Sequence, residues 1–364
     1  MERRKFLTGA ALGATGVALA APAVAASHAK ELNIVATWGR DLPGIGTSAQ
    51  RLAARIEQLS DGAFKVNYFA AGERVKAFDS FDEVASGNSQ AYIAADYYWV
   101  GKDPAFAYFT AVPFGMTVDE WNAWIMYAGG QELWDEVSGN FGLKAWPCGA
   151  TGTQAGGWFA KEINDPEDFK GLKMRIPGLG GTVMSKLGVS TISLPGGQIY
   201  ENLVSGAIDA TEWIGPYNDY FMKFYEVTKY YYTSGMHEPN ANLAFGMNAS
   251  WWSSLSDWEK AVIEAACKEE NNNQYSEIQA RNGEYLRKLI EEQGVQVASY
   301  GEDIWDAFGE AAAEVFEETR AKSALATKVD DAFQAALRDI GRSMALMQGQ
   351  FTSQRNRILG LDEG

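Results

Sequence analysis

The sequence predicts an α/β protein of two units with a cleft between them and a long helical region at its C-terminal end. Three observations carry this. The chain has 364 residues, 46 % hydrophobic and 21 % charged, which suits about two globular domains and not a disordered chain. From Leu32 onward strand and helix patterns alternate, the grammar of a sheet covered by helices. That alternation restarts near residue 144, and the chain turns mostly helical from Trp258.

In the first unit, Leu32, Ile34, Ala36 and Trp38 alternate with Asn33, Val35 and Thr37, a strand pattern. Leu52, Ala53, Ile56 and Leu59 repeat at helical spacing, and Gly62 is placed to end that helix. A strand at 64–69, a short helix at 78–85 and a strand at 91–95 follow. Open parallel sheets bind ligands beyond the carboxyl ends of their strands. After the third strand that place holds Asp96-Tyr97-Tyr98-Trp99.

In the second unit, strands are expected at 144–147, 156–160, 172–176, 191–194 and 207–214, with helices at 182–187 and 198–204. Beyond it, three sets read as helix faces: Trp258, Val262, Ala265 and Ala266; Ile304, Phe308, Ala311 and Ala312; and Phe333, Leu337, Ile340 and Met344.

The first 25 residues read as a secretory leader. Arg3, Arg4 and Lys5 precede an uncharged stretch from Leu7 to Ala21, and Ala23-Val24-Ala25 supplies small residues for cleavage. Arg3-Arg4-Lys5-Phe6-Leu7 is similar to the twin-arginine motif, but Glu2 stands where Ser or Thr is usual, so both the Tat and the Sec routes stay open. Without the leader, 339 residues carry 28 Lys and Arg against 46 Asp and Glu, a formal charge of −18. An exported, periplasmic protein is expected, with no nucleic-acid partner.

Few catalytic motifs are present. Two cysteines, Cys148 and Cys267, build no disulfide framework, and two histidines, His28 and His237, are too few for an imidazole cage. There is no G-x-S-x-G elbow, and Gly101-Lys102 leads to Asp103, not to the Ser or Thr of a P-loop.

Four polar stretches remain. Thr151 to Trp158 reads as either a domain-crossing turn with a solvated Gln154 or a cleft edge offering its amide. Gly171 to Gly178 places Arg175 near a strand end beside a Pro-Gly turn. It is either half of a solvated basic pair or a partner for a carboxylate. In Asp209 to Pro216, Glu212 could ligate a hard cation beside a backbone carbonyl, or could cap or pair with a base. In His237-Glu238-Pro239-Asn240, His237 reads as a packed or surface histidine, and Glu238 is open.

Taken together, Gly171-Leu-Lys-Met-Arg175, Gly197-Gln-Ile-Tyr200-Glu-Asn-Leu203 and Gly206-Ala-Ile-Asp209-Ala-Thr-Glu212-Trp213 resemble the DctP family, the periplasmic solute receptors of tripartite ATP-independent periplasmic (TRAP) transporters. The resemblance covers nearly the whole mature chain. Asp96-Tyr-Tyr-Trp99 and Gly101-Lys-Asp-Pro104 are similar to the branch that binds 2-oxo acids.

The resemblance implies a two-domain periplasmic binding protein of the Venus-flytrap kind, with a non-enzymatic receptor function. It puts 26–152 and about 237–270 in domain I, 153–236 and about 271–325 in domain II, and 326–364 in a C-terminal helix suited to dimerisation. Arg175 would pair with the substrate carboxylate. Gln154, Glu212, the carbonyl of Trp213 and Glu238 would hold a cation, with Gln154, Trp213 and Glu238 also facing the substrate. Tyr97 and Tyr98 would add hydrogen bonds or walls. Asp96 departs from the branch pattern and would alter the cation or the side-chain pocket. An oxygen-only shell suits Na⁺ or Ca²⁺ better than Zn²⁺.

The implied ligand is a small 2-oxo monocarboxylate such as pyruvate or a longer homologue, delivered to the membrane permease. The alternatives are a 2-hydroxy acid such as lactate, a C4-dicarboxylate or a sugar acid. An exported enzyme using Glu212 and Glu238 as acid and base is the third class.

Overall fold

The computed structural model describes residues 29–361; the predicted leader lies outside them. Strands β1 (Lys30–Ala36), β2 (Phe64–Phe69) and β3 (Ala91–Ala94) are linked by helices α1 (Ile45–Leu59) and α2 (Ser80–Ala85). Helices α3 (Val118–Tyr127) and α4 (Gly130–Gly139) lead to β4 (Leu143–Ala150). The chain then crosses over. Strands β5 (Ala155–Phe159), β6 (Lys173–Arg175), β7 (Ser190–Ile192), β8 (Ala210–Thr211) and β9 (Tyr230–Ser234) follow, with helices α5 (Gly178–Lys186), α6 (Gly196–Val204) and α7 (Pro216–Met222). It returns as β10 (Asn242–Asn248) and then forms α8 (Ala249–Ser253), α9 (Asp257–Glu291), β11 (Gln296–Ala298), α10 (Glu302–Lys322) and α11 (Ala324–Ala336).

Two sheets result, ordered β2-β1-β3-β10-β4 and β11-β9-β5-β8-β6-β7. The fold is thus the expected two-sheet α/β architecture, but neither sheet is purely parallel. β10 runs antiparallel between β3 and β4, and β5 runs antiparallel between β8 and β9. Each sheet is therefore completed by a strand that has come across from the other half. The strand expected to open the second unit, at 144–147, belongs to the first sheet. The strand expected at 207–214 shrinks to two residues. Beyond Thr211 the carbonyl of Glu212 leaves the ladder and accepts from the Thr211 hydroxyl at 2.9 Å.

Helix α9, 35 residues and about 50 Å long, packs against β4 and α1 of the first half and α7 of the second. It starts on a capping box: Ser256 Oγ accepts the Glu259 N–H at 3.3 Å, and Glu259 Oε2 accepts the Ser256 N–H at 2.7 Å. Its buried stripe is Val262, Ile263, Ala266, Cys267 and Glu270. The face read from sequence as Trp258-Val262-Ala265-Ala266 is rotated from this, for Trp258 and Ala265 are exposed. Ile304, Phe308, Ala311 and Ala312 are buried as a set on α10.

Much of the aromatic wealth goes into the core. Phe109 stacks on Trp134 at 5.4 Å and on Trp124 at 5.7 Å, and Trp158 meets Tyr231 at 4.3 Å. After α11 the chain stays helical over residues 337–359, with π-helical turns at Leu337–Gly341 and Ala345–Gly349.

Candidate functional site

Arg175 ends β6, and Glu212 directly follows β8. These strands are parallel neighbours with Arg175 opposite Thr211, so the two side chains emerge side by side at the carboxyl edge of the second sheet. Arg175 Nη1 donates to Glu212 Oε1 and, at 3.4 Å, to the Glu212 carbonyl. Its Nε donates to the Leu194 carbonyl at 3.1 Å, and its guanidinium lies 5.2 Å from the centre of the Trp213 ring. Both partners are buried, Arg175 at 1 % exposure and Glu212 at 0 %. Burial works most strongly against the arginine's charge, but Glu212, Tyr98, Tyr97 and Glu238 together outweigh it and hold the pKa above its ordinary value.

Gln154 lies on the segment crossing from β4 to β5. Its N–H donates to the Glu238 carbonyl at 3.0 Å, and its carbonyl accepts from Gly235 at 3.3 Å, tying it to the return segment before β10. Its amide donates to Thr151 Oγ1 at 3.1 Å. Glu238 is 2 % exposed, and burial first, then the nearby Glu212 carboxylate, push its pKa well up. Tyr97 and Tyr98, on the short 3-10 turn after β3, approach from the first sheet.

The structure thus brings together all seven residues the sequence singled out: Tyr97, Tyr98, Gln154, Arg175, Glu212, Trp213 and Glu238. Trp38, Ile45, Tyr97, Tyr98, Gln154, Arg175, Trp213, Ile214 and Leu243 are among the residues lining a narrow cavity of about 20 Å³ between the sheets. Among the described residues, Arg175 is the one cationic side chain lining it.

The donors are incompletely used. Gln154 Oε1, Glu212 Oε2, both Glu238 carboxylate oxygens and Arg175 Nη2 are buried without a hydrogen-bond partner. Buried polar atoms are seldom left so. Four of these five atoms are oxygens, the donor set of a hard cation such as Na⁺ or Ca²⁺, and the fifth is a guanidinium N–H suited to a carboxylate. Gln154, Glu212 and Glu238 therefore fit the cation that the family resemblance implied.

Asp96 does not enter this set, contrary to expectation. It points back into the first core, where its carboxylate accepts from Tyr92 Oη and Trp134 Nε1, both at 2.9 Å. Burial pushes its pKa up to about 7, with the Trp134 and Tyr92 hydrogen bonds opposing.

One supporting residue escaped the sequence reading, and a second, His237, was read there only as a packed or surface histidine. Asp219, in the first turn of α7, accepts from the backbone N–H groups of Ile214 and Gly215, each at 3.0 Å, and from Trp158 Nε1 at 2.9 Å. It thereby fixes the turn that presents Trp213. An aspartate four residues after Gly215, just inside a Pro-started helix, was the available signal. His237 is buried with Nε2 3.4 Å from Glu212 Oε2. Gly180 and Gly235 make room for it: a Cβ at either would come within 2.5 Å or less of its side chain. One ligand atom each from Glu212, His237 and Glu238 lie within 4.8 Å of one another.

Known proteins are similar along nearly the whole chain. A monocarboxylate 2-oxoacid-binding periplasmic protein of Nostoc is 35 % identical over 347 residues, covering 93 % of this chain and 95 % of its own. A TRAP periplasmic solute-binding protein of Pseudoalteromonas atlantica, solved with bound sodium and pyruvate, is 35 % identical and superposes with a TM-score of 0.86 over 89 % of this chain and 99 % of its own. A TRAP solute-binding protein of Bordetella bronchiseptica, solved as a mixed-occupancy dimer with calcium and picolinate at the active site of one copy, is 32 % identical. Its TM-score is 0.89 over 93 % of this chain and all of its own. The model of the bacterial extracellular solute-binding protein family 7, DctP, matches residues 36–323, and the chain belongs to that family.

Proposed function

We propose that this chain is the extracytoplasmic receptor of a TRAP transporter for a small 2-oxo monocarboxylate, such as pyruvate or a longer homologue, bound together with Na⁺ or Ca²⁺. One observation carries the reading. A buried arginine that lines the cavity between the sheets is paired with a buried carboxylate, and acceptors of Gln154, Glu212 and Glu238 near it lack partners.

Arg175 supplies the charge for the substrate carboxylate through Nη2, while Nε and Nη1 stay anchored on Leu194 and Glu212. Gln154, Glu212, Glu238 and the Trp213 carbonyl would hold the cation. When bound, the cation supplies a second positive charge for the substrate's carboxylate and 2-oxo oxygens. Burying an unpaired carboxylate is very costly, so a monoanion needs this neutralisation. Tyr97 and Tyr98 close the cavity from the first domain, and Gln154, Trp213 and Glu238 border the ligand from the second.

The single arginine disfavours a C4-dicarboxylate, whose second carboxylate would lack a cationic partner. Trp38, Tyr97, Tyr98 and Trp213 line the cavity, so aromatic faces are present for a sugar acid, and a ligand screen separates it. A 2-hydroxy acid such as lactate shares the same donor pattern and is the reading to separate by experiment.

Ligand binding is expected to close the two domains and present the closed form to the membrane subunits. The leader would direct export to the periplasm by the Tat or the Sec route. Leu346, Met347, Phe351, Ile358 and Leu359 are exposed along 337–359 beside a groove of about 640 Å³ lined by Tyr275, Met344, Ala345 and Gln348, an apolar face suited to a homodimer.

Thermal-shift screening of a carboxylic-acid library, with and without chelator, tests the ligand. A 2-oxo acid should raise the melting temperature most, since stabilisation follows mass action. A larger shift with lactate, succinate or a sugar acid would overturn the choice, and loss of the shift in chelator would identify Ca²⁺.

A further inference from the structure

We propose that Asn218 is a ligand-retention residue outside the binding cavity. It latches the two domains in the closed form by donating a hydrogen bond to the carbonyl of Pro43. This rests on the reading of the chain as a receptor that closes on a small acid.

Pro43 lies in the loop between β1 and α1, on the first domain. Asn218 is the third residue of α7, on the second. Asn218 Nδ2 donates to the Pro43 carbonyl at 2.8 Å across the boundary between them. Asn218 is fully buried, so no water replaces the bond while the domains are closed. The approach is tight. Gly44 adopts φ +83°, and a Cβ there would sit 2.2 Å from Asn218 Nδ2. The next residue, Ile45, and Ile214 of the second domain both line the cavity, whereas Asn218 does not. The latch therefore pins two opposing walls without touching what lies between them.

Its surroundings hold Asn218 in place. The Tyr217 N–H donates to Asn282 Oδ1 at 3.1 Å, and Asp219 staples the preceding turn. A second bridge runs parallel through α9, where Glu277 accepts from Tyr217 Oη at 3.0 Å and pairs with Arg51 of α1 at 2.8 Å. The Pro43 contact differs in being direct, from one domain's loop to the other's side chain. Opening the cleft breaks it before a ligand can leave, and the open form has no such contact to lose. The bond therefore slows dissociation and leaves association unchanged.

The test uses the full mature chain with pyruvate and Ca²⁺, read by stopped-flow tryptophan fluorescence. Asn218→Leu keeps the side chain's shape and removes the donor; Asn218→Asp keeps the shape and sets a carboxylate against the Pro43 carbonyl. For both, the expected result is dissociation about fivefold faster or more, as for loss of one neutral hydrogen bond. Association should stay within about twofold and the ligand-free melting temperature should not move. Dissociation at the wild-type rate in both variants would overturn the latch. So would an equal loss in association and ligand-free stability, the mark of a merely structural residue. A wild-type chain that binds no 2-oxo acid would instead overturn the receptor reading.

Discussion

Replacing Arg175 with methionine removes the guanidinium and keeps much of the side chain's length. Arg175 is 1 % exposed and Glu212 is 0 % exposed, so in the closed form neither can turn to water when its partner is lost. Breaking a buried ion pair from one side typically costs about 3–5 kcal/mol. Arg175 also gives up its bond to the Leu194 carbonyl and its place over the Trp213 ring, but the open cleft of the ligand-free chain admits water to Glu212, so the lower half of that range is expected. Denaturant unfolding of the ligand-free chain measures the loss. The charge argument adds a second signature. Without the guanidinium, Glu212 and Glu238 face each other with no cation nearby, so added Ca²⁺ should stabilise Arg175→Met more than it stabilises the wild type. Ligand binding reports separately. A charged hydrogen bond is worth about 1.5–3 kcal/mol, so pyruvate should bind at least about tenfold more weakly to the variant. Pyruvate affinity within about threefold of wild type in calorimetry would refute the assignment of Arg175 to the substrate carboxylate.

Other perturbations test other parts of the site. Gln154→Leu removes an unpartnered acceptor, and should raise the cation concentration needed for half-maximal ligand affinity about tenfold, as for a lost ligand or its support. Gly178→Ala sets a Cβ 2.6 Å from the Tyr97 ring at a residue with φ +63°, so it should weaken ligand binding by hindering closure while circular dichroism stays native. Asp96 binds its proton more tightly when folded, at about 7, than when unfolded, near 3.9. The stabilisation it contributes is fully present below about pH 4 and is lost as pH rises from there through about 7, so stability should fall across that window and level off above it. Asp96→Asn should flatten that fall by on the order of 2–4 kcal/mol, read from denaturation midpoints across pH. An unchanged slope would show that Tyr92 and Trp134 keep the carboxylate ionised.

The strand ends were legible because they alternate. Met174 points into the core and Arg175 to the other face, so the strand pattern alone aimed the arginine at an edge. Glu212 was legible as a charge at the end of an apolar strand. Pairing across long separations was not. β10 inserts between β3 and β4 from about 150 residues along the chain, and nothing local in 242–248 announces its direction. The face of α9 was misjudged because a helix that spans two domains meets different neighbours along its length, and in its first turn it is Glu259, paired with Lys30 of β1, that faces inward while Trp258 is exposed. Asp96 misled because its place beyond β3 was right but its rotamer was not. Tyr92, four residues earlier, and Trp134, on α4, hold it in the core. Asp219 and His237 gained their roles from folded proximity to the 212–215 turn, which spacing does not reveal.

Titration of the purified mature chain with pyruvate in a calorimeter, in Na⁺ or Ca²⁺ and again after chelation in a buffer free of both, tests the central claim most directly. One-to-one binding that weakens sharply when the cation is removed is the predicted result. Binding of equal strength with and without cation, or no binding of any 2-oxo acid, would contradict it.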